Sequence, residues 1–243
     1  MTSFKMIMEN SERLINRLAE NSGLEKWMVE NILQYANQMP KQKGGDVDLL
    51  IFMAQMSKQF DLNSVILIQS MYETLKKAKT QSMTVEEYAR AICLFLSDDL
   101  DSKVEFVFRV YDVNHDGMVE WHELYTLLRP CIISPEPVED ADTEDSLREL
   151  VDMVLKVTDM DMDGFISCEE FKALVKSNIL YLQVLGPCLP SEIAVQSFKN
   201  KLTGKTPFQV SVQFSDERIQ SLSEIKINMK KTDQLYPIRL ELP

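Results

Sequence analysis

Hydrophobic residues recur at helical spacing on either side of two short polar segments in the second half of the chain. Before the first segment they stand at i, i+3, i+4 and i+7, and the spacing resumes after it: Val104, Val107, Phe108 and Tyr111, then Leu124, Leu127 and Leu128. The second segment is flanked in the same way: Leu147, Leu150, Val151, Val154 and Leu155, then Phe171, Leu174 and Val175. Such spacing places apolar side chains on one face of a helix. The pattern therefore predicts two helix–loop–helix units.

Both polar segments carry oxygen-bearing side chains at positions 1, 3, 5, 9 and 12. With the carbonyl of position 7 added, the candidate ligands of the first segment are Asp112, Asn114, Asp116, Met118, Glu120 and Glu123. Those of the second segment are Asp159, Asp161, Asp163, Phe165, Ser167 and Glu170. Ca²⁺ takes about six to eight oxygen ligands, and alternate residues of a short loop can all point inward. The segments match the EF-hand calcium loop, and they predict two Ca²⁺ sites.

Two more positions in each loop fit this interpretation. Gly117 and Gly164 stand at position 6, where the chain must turn sharply with a positive φ that glycine adopts without steric cost. Val119 and Ile166 stand at position 8, and β-branched residues favour extended backbone. We therefore expect the two loops to pair through a short strand each.

The segment Lys76–Glu87 has the outline of a third loop without its ligands. Thr84 and Glu87 have the spacing of a helix capping box, as Ser167 and Glu170 do, and Met83 stands at position 8. Positions 1, 3, 5 and 6 are Lys76, Ala78, Thr80 and Gln81, of which the first two offer no side-chain oxygen, Lys76 is itself a cation, and the glycine of position 6 is absent. This pattern indicates a hand that has kept its scaffold and lost its metal.

A further degenerate hand is predicted upstream, with helices at Trp27–Ala36 and Val47–Phe60 around the segment Pro40–Gly45. The predicted fold class is therefore mostly α. It consists of four EF-hand units in two lobes, two of them metal-competent and two degenerate, plus a C-terminal extension. The predicted domains are a degenerate lobe at 1–97, a calcium-binding pair at 98–185 and the extension at 186–243.

The connecting segments have their own signatures. Prolines and acids between Pro135 and Asp145 predict a flexible spacer. The apolar segment Ile179–Leu185 predicts a continued helix that ends at Gly186-Pro187. In the extension, alternation over Phe208–Phe214 predicts a strand, and Ile238–Leu242 is a candidate extended edge. Residues 216–231 fit a helix better than a strand.

Charge and composition narrow the classes of function. The net charge is −12, and residues 98–170 hold 21 acidic and 5 basic residues, which argues against nucleic acid as a partner. No apolar run reaches the roughly 18 residues that a membrane-spanning helix needs. Residue 2 is threonine, whereas N-myristoylation requires glycine there, so we expect no myristoyl anchor. Cys93, Cys131, Cys168 and Cys188 are scattered, which favours reduced thiols in the cytoplasm. No nucleophile, phosphate-loop or zinc motif is present, so we expect no enzymatic activity.

One family combines these features. The helix end Ala91–Leu96, the acidic spacer, the complete last two hands and the element Leu185-Gly186-Pro187-Cys188-Leu189-Pro190 resemble the calaxin family of motile cilia, which is related to the neuronal calcium sensors. The resemblance covers roughly residues 10–190. It implies a calcium-responsive subunit of the cytoskeleton of a cilium or flagellum, associated with the outer dynein arms of the axoneme or their docking complex and with tubulin.

Two departures from that family leave alternatives open. Calaxin-like proteins generally have a metal-competent second hand, which Lys76–Glu87 is not, and the chain after Pro190 is longer than the usual tail. One alternative is a constitutive structural subunit of the axoneme, in which calcium only stabilises the C-terminal lobe. The other is a cytosolic adaptor of the neuronal-calcium-sensor type.

Overall fold

The computed structural model describes residues 2–39, 46–77, 80, 82–132, 141–183 and 185–204, and its regular structure is helical apart from two short strands. The α-helices are α1 Thr2–Ser22, α2 Lys26–Gln38, α3 Leu49–Phe60, α4 Val65–Leu75, α5 Val85–Leu96, α6 Leu100–Tyr111, α7 Trp121–Ile132, α8 Ala141–Thr158, α9 Cys168–Ser177 and α10 Glu192–Leu202. The strands are β1 Met118–Val119 and β2 Ile166–Ser167, and a 3₁₀ helix spans Ile179–Gln183. The predicted mostly α fold class is confirmed.

The third and fourth hands form one pair. Helices α6 and α7 flank the loop Asp112–Glu123, and α8 and α9 flank Asp159–Glu170. Strands β1 and β2 are antiparallel, with Val119 opposite Ile166, so the predicted pairing of the loops is confirmed. Helix α7 packs against α8, and α6 packs against α9. The apolar stripe predicted on α6 is buried, since its four members, Val104, Val107, Phe108 and Tyr111, are each at most 3% exposed.

The first and second hands form a second pair on the same plan. Helices α2 and α3 belong to the first hand, and α4 and α5 to the second. Their loops meet through an antiparallel bridge between Val47 and Met83, whose backbones exchange hydrogen bonds of 2.7 and 3.1 Å. Met83 therefore has the strand role that the sequence predicted for position 8. The bridge identifies Val47 as its partner in the first hand.

The two pairs pack together through α4, α5 and α6. The rings of Phe95 on α5 and Phe106 on α6 lie 5.8 Å apart, edge to face, and neither side chain is exposed. On α4 the Ser70 hydroxyl donates to the carbonyl of Val110 on α6 at 2.5 Å. These contacts bury one side of α6 against the N-terminal hands. They make a continuous core from α2 to α9.

The element Leu185–Pro190 packs tightly against the third hand. Leu185 and Cys188 are buried, at 2% and 0% exposure. Gly186 has φ +70°, and a side chain there would lie 3.4 Å from the Tyr111 hydroxyl and 3.5 Å from Cδ2 of Leu128. The left-handed backbone is what favours glycine here, since a side chain would meet its neighbours at ordinary van der Waals distances.

Helix α10 lies within the predicted extension and was not foreseen from the sequence. It packs on α2, α3 and α5 of the N-terminal hands. Phe198 is fully buried, with its ring 5.2 Å from Tyr35 and 5.1 Å from Phe60. Asn31 and Gln59 hydrogen-bond to its end, through the Leu202 carbonyl and the Lys201 ammonium. The compact unit that contains all the described residues runs from Met1 to Phe208.

Three local predictions need correction. The helix predicted over Ile179–Leu185 does not continue from α9, because Asn178 is extended and its side chain accepts a hydrogen bond from the Leu180 N–H at 3.0 Å, a local turn that competes with the helix. Both Ile179 and Leu180 are consequently exposed. The spacer is shorter than predicted, since α8 begins at Ala141 and holds residues that the sequence assigned to the spacer.

The third correction concerns Leu150, which belongs to the predicted apolar stripe but is 38% exposed. It lies at the edge of the stripe formed by the buried residues Leu147, Val151 and Val154, three residues after the first and four before the last. The predicted first loop Pro40–Gly45 and the strand and helix predictions beyond residue 204 lie outside the described residues.

Candidate metal centre

The backbone of the two complete loops has the same conformation at positions 4 and 6. His115 and Met162 at position 4 have φ of 59° and 62°, and Gly117 and Gly164 at position 6 have φ of 88° and 91°. The left-handed turn at position 6 was predicted from the glycines. The one at position 4 was missed, because histidine and methionine give no signal for it. Two left-handed residues so close together fold each loop back on itself.

Side-chain oxygens of the third hand are held by the N–H groups of its own loop. Asp112 accepts hydrogen bonds from the backbone of Asp116 at 3.1 Å and of Gly117 at 3.2 Å. Asn114 accepts from Asp116 at 2.9 Å, and Asp116 accepts from Met118 at 2.9 Å. These bonds fix positions 1, 3 and 5 around one centre.

The fourth hand repeats this network. Asp159 accepts from the N–H groups of Asp163 at 3.2 Å and Gly164 at 2.9 Å. Asp161 accepts from Asp163 at 3.2 Å, and Asp163 accepts from Phe165 at 2.9 Å. The backbone N–H groups therefore hold positions 1, 3 and 5 in the same way in both loops.

The glutamate at position 12 reaches back across each loop. Glu170 accepts from the N–H of Met160 at 2.8 Å with one oxygen, and from the N–H of Ser167 at 2.8 Å with the other. Ser167 in turn caps α9, forming the predicted capping box. Glu123 makes the matching bonds to Val113 at 3.0 Å and Glu120 at 3.0 Å. Each glutamate thus closes its loop from the start of the exit helix.

The fourth loop gathers negative charge at one point. Ligand oxygens of Asp159, Asp161 and Glu170 all lie within 4.8 Å of one another. Desolvation raises the pKa of Asp161, and the neighbouring carboxylates of Asp163, Glu170 and Asp159 raise it further. A bound cation would relieve this repulsion, because it favours the ionised form of every carboxylate around it.

The two closing glutamates differ in their electrostatics. Burial raises the pKa of Glu123, and this outweighs the hydrogen bonds from the backbone of Glu120, Asn114 and Val113. Burial acts in the same sense on Glu170, but hydrogen bonds from Ser167, Met160 and Asp161 outweigh it and lower the pKa of Glu170. Glu170 is the better prepared anionic ligand.

The donor set fits Ca²⁺. All the side chains brought together at positions 1, 3, 5 and 12 offer oxygen, which suits a hard cation and not a thiolate-seeking metal. The carbonyl residues of position 7, Met118 and Phe165, lie at the start of β1 and immediately before β2. The position 9 residues, Glu120 and Ser167, lie immediately before or at the start of the exit helices. The two histidines, His115 and His122, are both exposed. When bound, Ca²⁺ would supply the positive charge that offsets the repulsion between these oxygens.

The second hand keeps the closing glutamate but has a cation of its own. Glu87 is 2% exposed and accepts from the N–H groups of Lys77 at 3.2 Å and Thr84 at 2.9 Å, as Glu170 does in the fourth hand. At position 1, the Lys76 ammonium donates to the carbonyl of Thr80 at 3.0 Å and pairs with Glu73 at 2.8 Å. Lys76 therefore occupies position 1, where the complete loops have the aspartates Asp112 and Asp159.

Comparisons with known proteins agree with this geometry. A family model described as an EF-hand domain pair matches residues 101–176. The chain is 25% identical to calaxin of Xenopus laevis over 199 residues, which is 80% of this chain and 94% of that protein. It is 28% identical to calaxin of Danio rerio over 155 residues, 64% of this chain and 73% of the relative.

The chain is similar to calaxin and contains a calcium-binding EF-hand pair. Guanylyl cyclase-activating protein 1 of Lithobates pipiens is also similar, at 29% identity over 55% of this chain and 63% of that protein. The region matched as an EF-hand pair is the one that holds both complete loops. No helix among the described residues of this calaxin-like chain is long and apolar enough to cross a membrane.

Proposed function

We propose that this calaxin-like chain is a calcium-responsive subunit of axonemal outer dynein arms or their docking complex, and that it regulates ciliary or flagellar motility. The similarity to calaxin supports the proposal, since that resemblance implies dynein-arm, docking-complex and tubulin partners. The observation that carries its calcium-responsive part is the convergence of Asp159, Asp161 and Glu170 in a loop paired to a second complete loop. This is a binding function without catalysis.

Both complete loops would hold one Ca²⁺ each. The proposed ligands are those at positions 1, 3, 5, 7, 9 and 12: Asp112, Asn114, Asp116, Met118, Glu120 and Glu123, with Asp159, Asp161, Asp163, Phe165, Ser167 and Glu170. Because β1 and β2 join the loops directly, a change at one loop is transmitted to the other. The helices α6 to α9 then change their packing with calcium, which is how sensor EF-hand pairs respond.

A constitutive subunit of the axoneme is the second candidate, favoured by the N-terminal hands. The second hand has the Lys76 ammonium at position 1 in place of a ligand, and α10 buries Phe198 against Tyr35 and Phe60. A lobe filled by its own helix and lacking a metal cannot respond to calcium. On this view calcium would stabilise only the C-terminal hands.

Localisation and calcium dependence test the proposal together. The tagged chain is expressed in ciliated cells that have outer dynein arms and in cells that lack them. We expect axonemal signal in the first cells and its loss in the second, whereas an even cytoplasmic signal in both would contradict an axonemal place. Glu123→Gln with Glu170→Gln should weaken recovery of dynein-arm proteins at high calcium, and Glu169→Gln, an exposed neighbour, is the matched control. Equal recovery at high and low calcium would select the constitutive subunit.

A further inference from the structure

Helix α8 has two apolar faces, and only one of them is covered. Leu147, Val151 and Val154 are buried in the C-terminal pair. Leu150, Met153 and Val157 are exposed by 38%, 62% and 45%. Their i, i+3, i+7 spacing puts them in one row over two turns, about 10 Å long. We call this row the outer face of α8.

The internal repeat shows what this face does in the other hands. Met153 and Val157 stand six and two residues before position 1 of their loop, and Phe106 and Val110 have these places in the third hand. Both Phe106 and Val110 are fully buried, because α6 packs there against α4 and α5. The same face of an entering helix is thus a helix-binding surface in the third hand.

The equivalent face of the entering helix also contacts another helix in the second hand. Ser70 and Thr74 stand six and two residues before Lys76, which is position 1 of that loop. Their hydroxyls donate to the carbonyls of Val110 and Arg109 on α6, at 2.5 and 3.3 Å. Helices α4 and α6 therefore cover each other through equivalent faces. No helix among the described residues does this for the outer face of α8.

Charge decides between a second copy of the chain and a different partner. Helix α8 carries five acidic and two basic residues. Two α8 helices packed on each other would bring like charges together, which is unfavourable at short range. A basic helix would instead gain from the net acidic charge of α8 and from the exposed Glu149, which stands four residues before Met153.

We propose that the outer face of α8, formed by Leu150, Met153 and Val157, binds a basic amphipathic α-helix of a partner protein. The partner's apolar stripe covers the exposed row, as α4 covers α6, and its lysines or arginines lie over the acids of α8. Exposed apolar rows of this kind are typical of interaction sites. The site is separate from the calcium ligands, and it does not depend on an axonemal location.

The test uses the full chain at saturating calcium and two synthetic helical peptides. Each peptide has about 18 residues and leucines at helical spacing, and the remaining positions are lysine in one and glutamate in the other. We expect the lysine peptide to bind with a Kd on the order of 10⁻⁵ M or tighter, more weakly at high salt, and the glutamate peptide not to bind. No binding of the lysine peptide, or equal binding of both, would overturn the proposal.

Variants assign the binding to this face. Met153→Ser with Val157→Ser removes the row without changing charge, and Ile193→Ser removes a side chain that is 83% exposed on α10. We expect the double variant to bind the lysine peptide about tenfold more weakly or worse, and the control to bind as the unchanged chain does. Unchanged calcium titration shows that the double variant is folded. Equal peptide binding by all three proteins would overturn the proposal, as would self-association of the unchanged chain that the double variant abolishes.

Discussion

The second and fourth hands close their loops with the same hydrogen bonds, but they place opposite charges at position 1, Lys76 in one and Asp159 in the other. In the second hand the closing residue Glu87 bonds to the backbone of Lys77 and Thr84, and in the fourth hand Glu170 bonds to Met160 and Ser167. Both pairs join their loops by antiparallel pairing. The scaffold of a hand and its metal chemistry are therefore separable.

What stabilises each pair also differs. The C-terminal loops concentrate carboxylates, which repel one another until a cation is bound. The second hand carries Lys76, and its pair is covered by α10 instead. The comparison teaches that a hand without a metal can be held by an ammonium group and a packed helix. Four substitutions test this contrast.

The largest expected effect is at Phe198, which holds α10 on the N-terminal hands. Phe198→Ala leaves a cavity between Tyr35 and Phe60, and removing a buried phenylalanine costs about 3–5 kcal/mol. We expect urea denaturation to show that loss in the free energy of unfolding, while calcium affinity is unchanged. Ile193→Ala, at an 83% exposed position of the same helix, should cost little. Equal stability of the two variants would mean that α10 does not support the N-terminal pair.

The second effect ranks the two calcium loops. The fourth loop has aspartate at positions 1, 3 and 5, and its closing Glu170 has a lowered pKa, whereas the pKa of Glu123 is raised by burial. Glu170→Gln should weaken the higher-affinity step of a calorimetric calcium titration. We expect the Kd of that step to rise about tenfold or more, which corresponds to about 1.4 kcal/mol of binding free energy. Glu169→Gln should leave both steps in place. Loss of the tighter step in Glu123→Gln would reverse the ranking.

The third effect concerns the element that packs on the third hand. Gly186→Ala should lower the free energy of unfolding by about 1–2 kcal/mol through its left-handed backbone. Its new side chain would meet Tyr111 and Leu128 at ordinary van der Waals distances, so the backbone dominates the cost. Gly204 has nearly the same φ, +72°, with open space around it, and Gly204→Ala should therefore lose a similar stability. A much larger loss in Gly186→Ala would show that the packing around Gly186 has no room for a side chain.

The smallest expected effect is at Lys76. Lys76→Met removes the hydrogen bond to Thr80 and the ion pair with Glu73, at a cost of about 1 kcal/mol. The number of bound Ca²⁺ should stay at the two that the loops predict, because the new methionine and Ala78 would offer no side-chain oxygen at positions 1 and 3 and Gln81 replaces the glycine of position 6. Lys26→Met, at an exposed lysine, is the control for both measurements. A third calcium ion bound by Lys76→Met would show that the ammonium group alone excludes the metal.

The sequence by itself determined the properties that lie within a few consecutive residues. The oxygen-bearing residues of each loop, the turn at Gly117 and Gly164, and the capping box of Ser167 are set by chemistry inside one loop. The absence of side-chain oxygens at Lys76 and Ala78 is likewise visible within one loop of the sequence. Periodicity also predicted the buried faces of α6, α7 and α9, because each has one apolar stripe that must leave water.

Only the tertiary structure decided the features that depend on distant residues. Helix α10 packs on the N-terminal hands, and Gly186 lies close to Tyr111. Both contacts are between segments that are far apart in the chain. Leu150 has the same spacing signal as its buried neighbours, and it is exposed because no described helix packs on that face. Periodicity indicates that an apolar face should be covered, but what covers it is fixed by the packing of other elements.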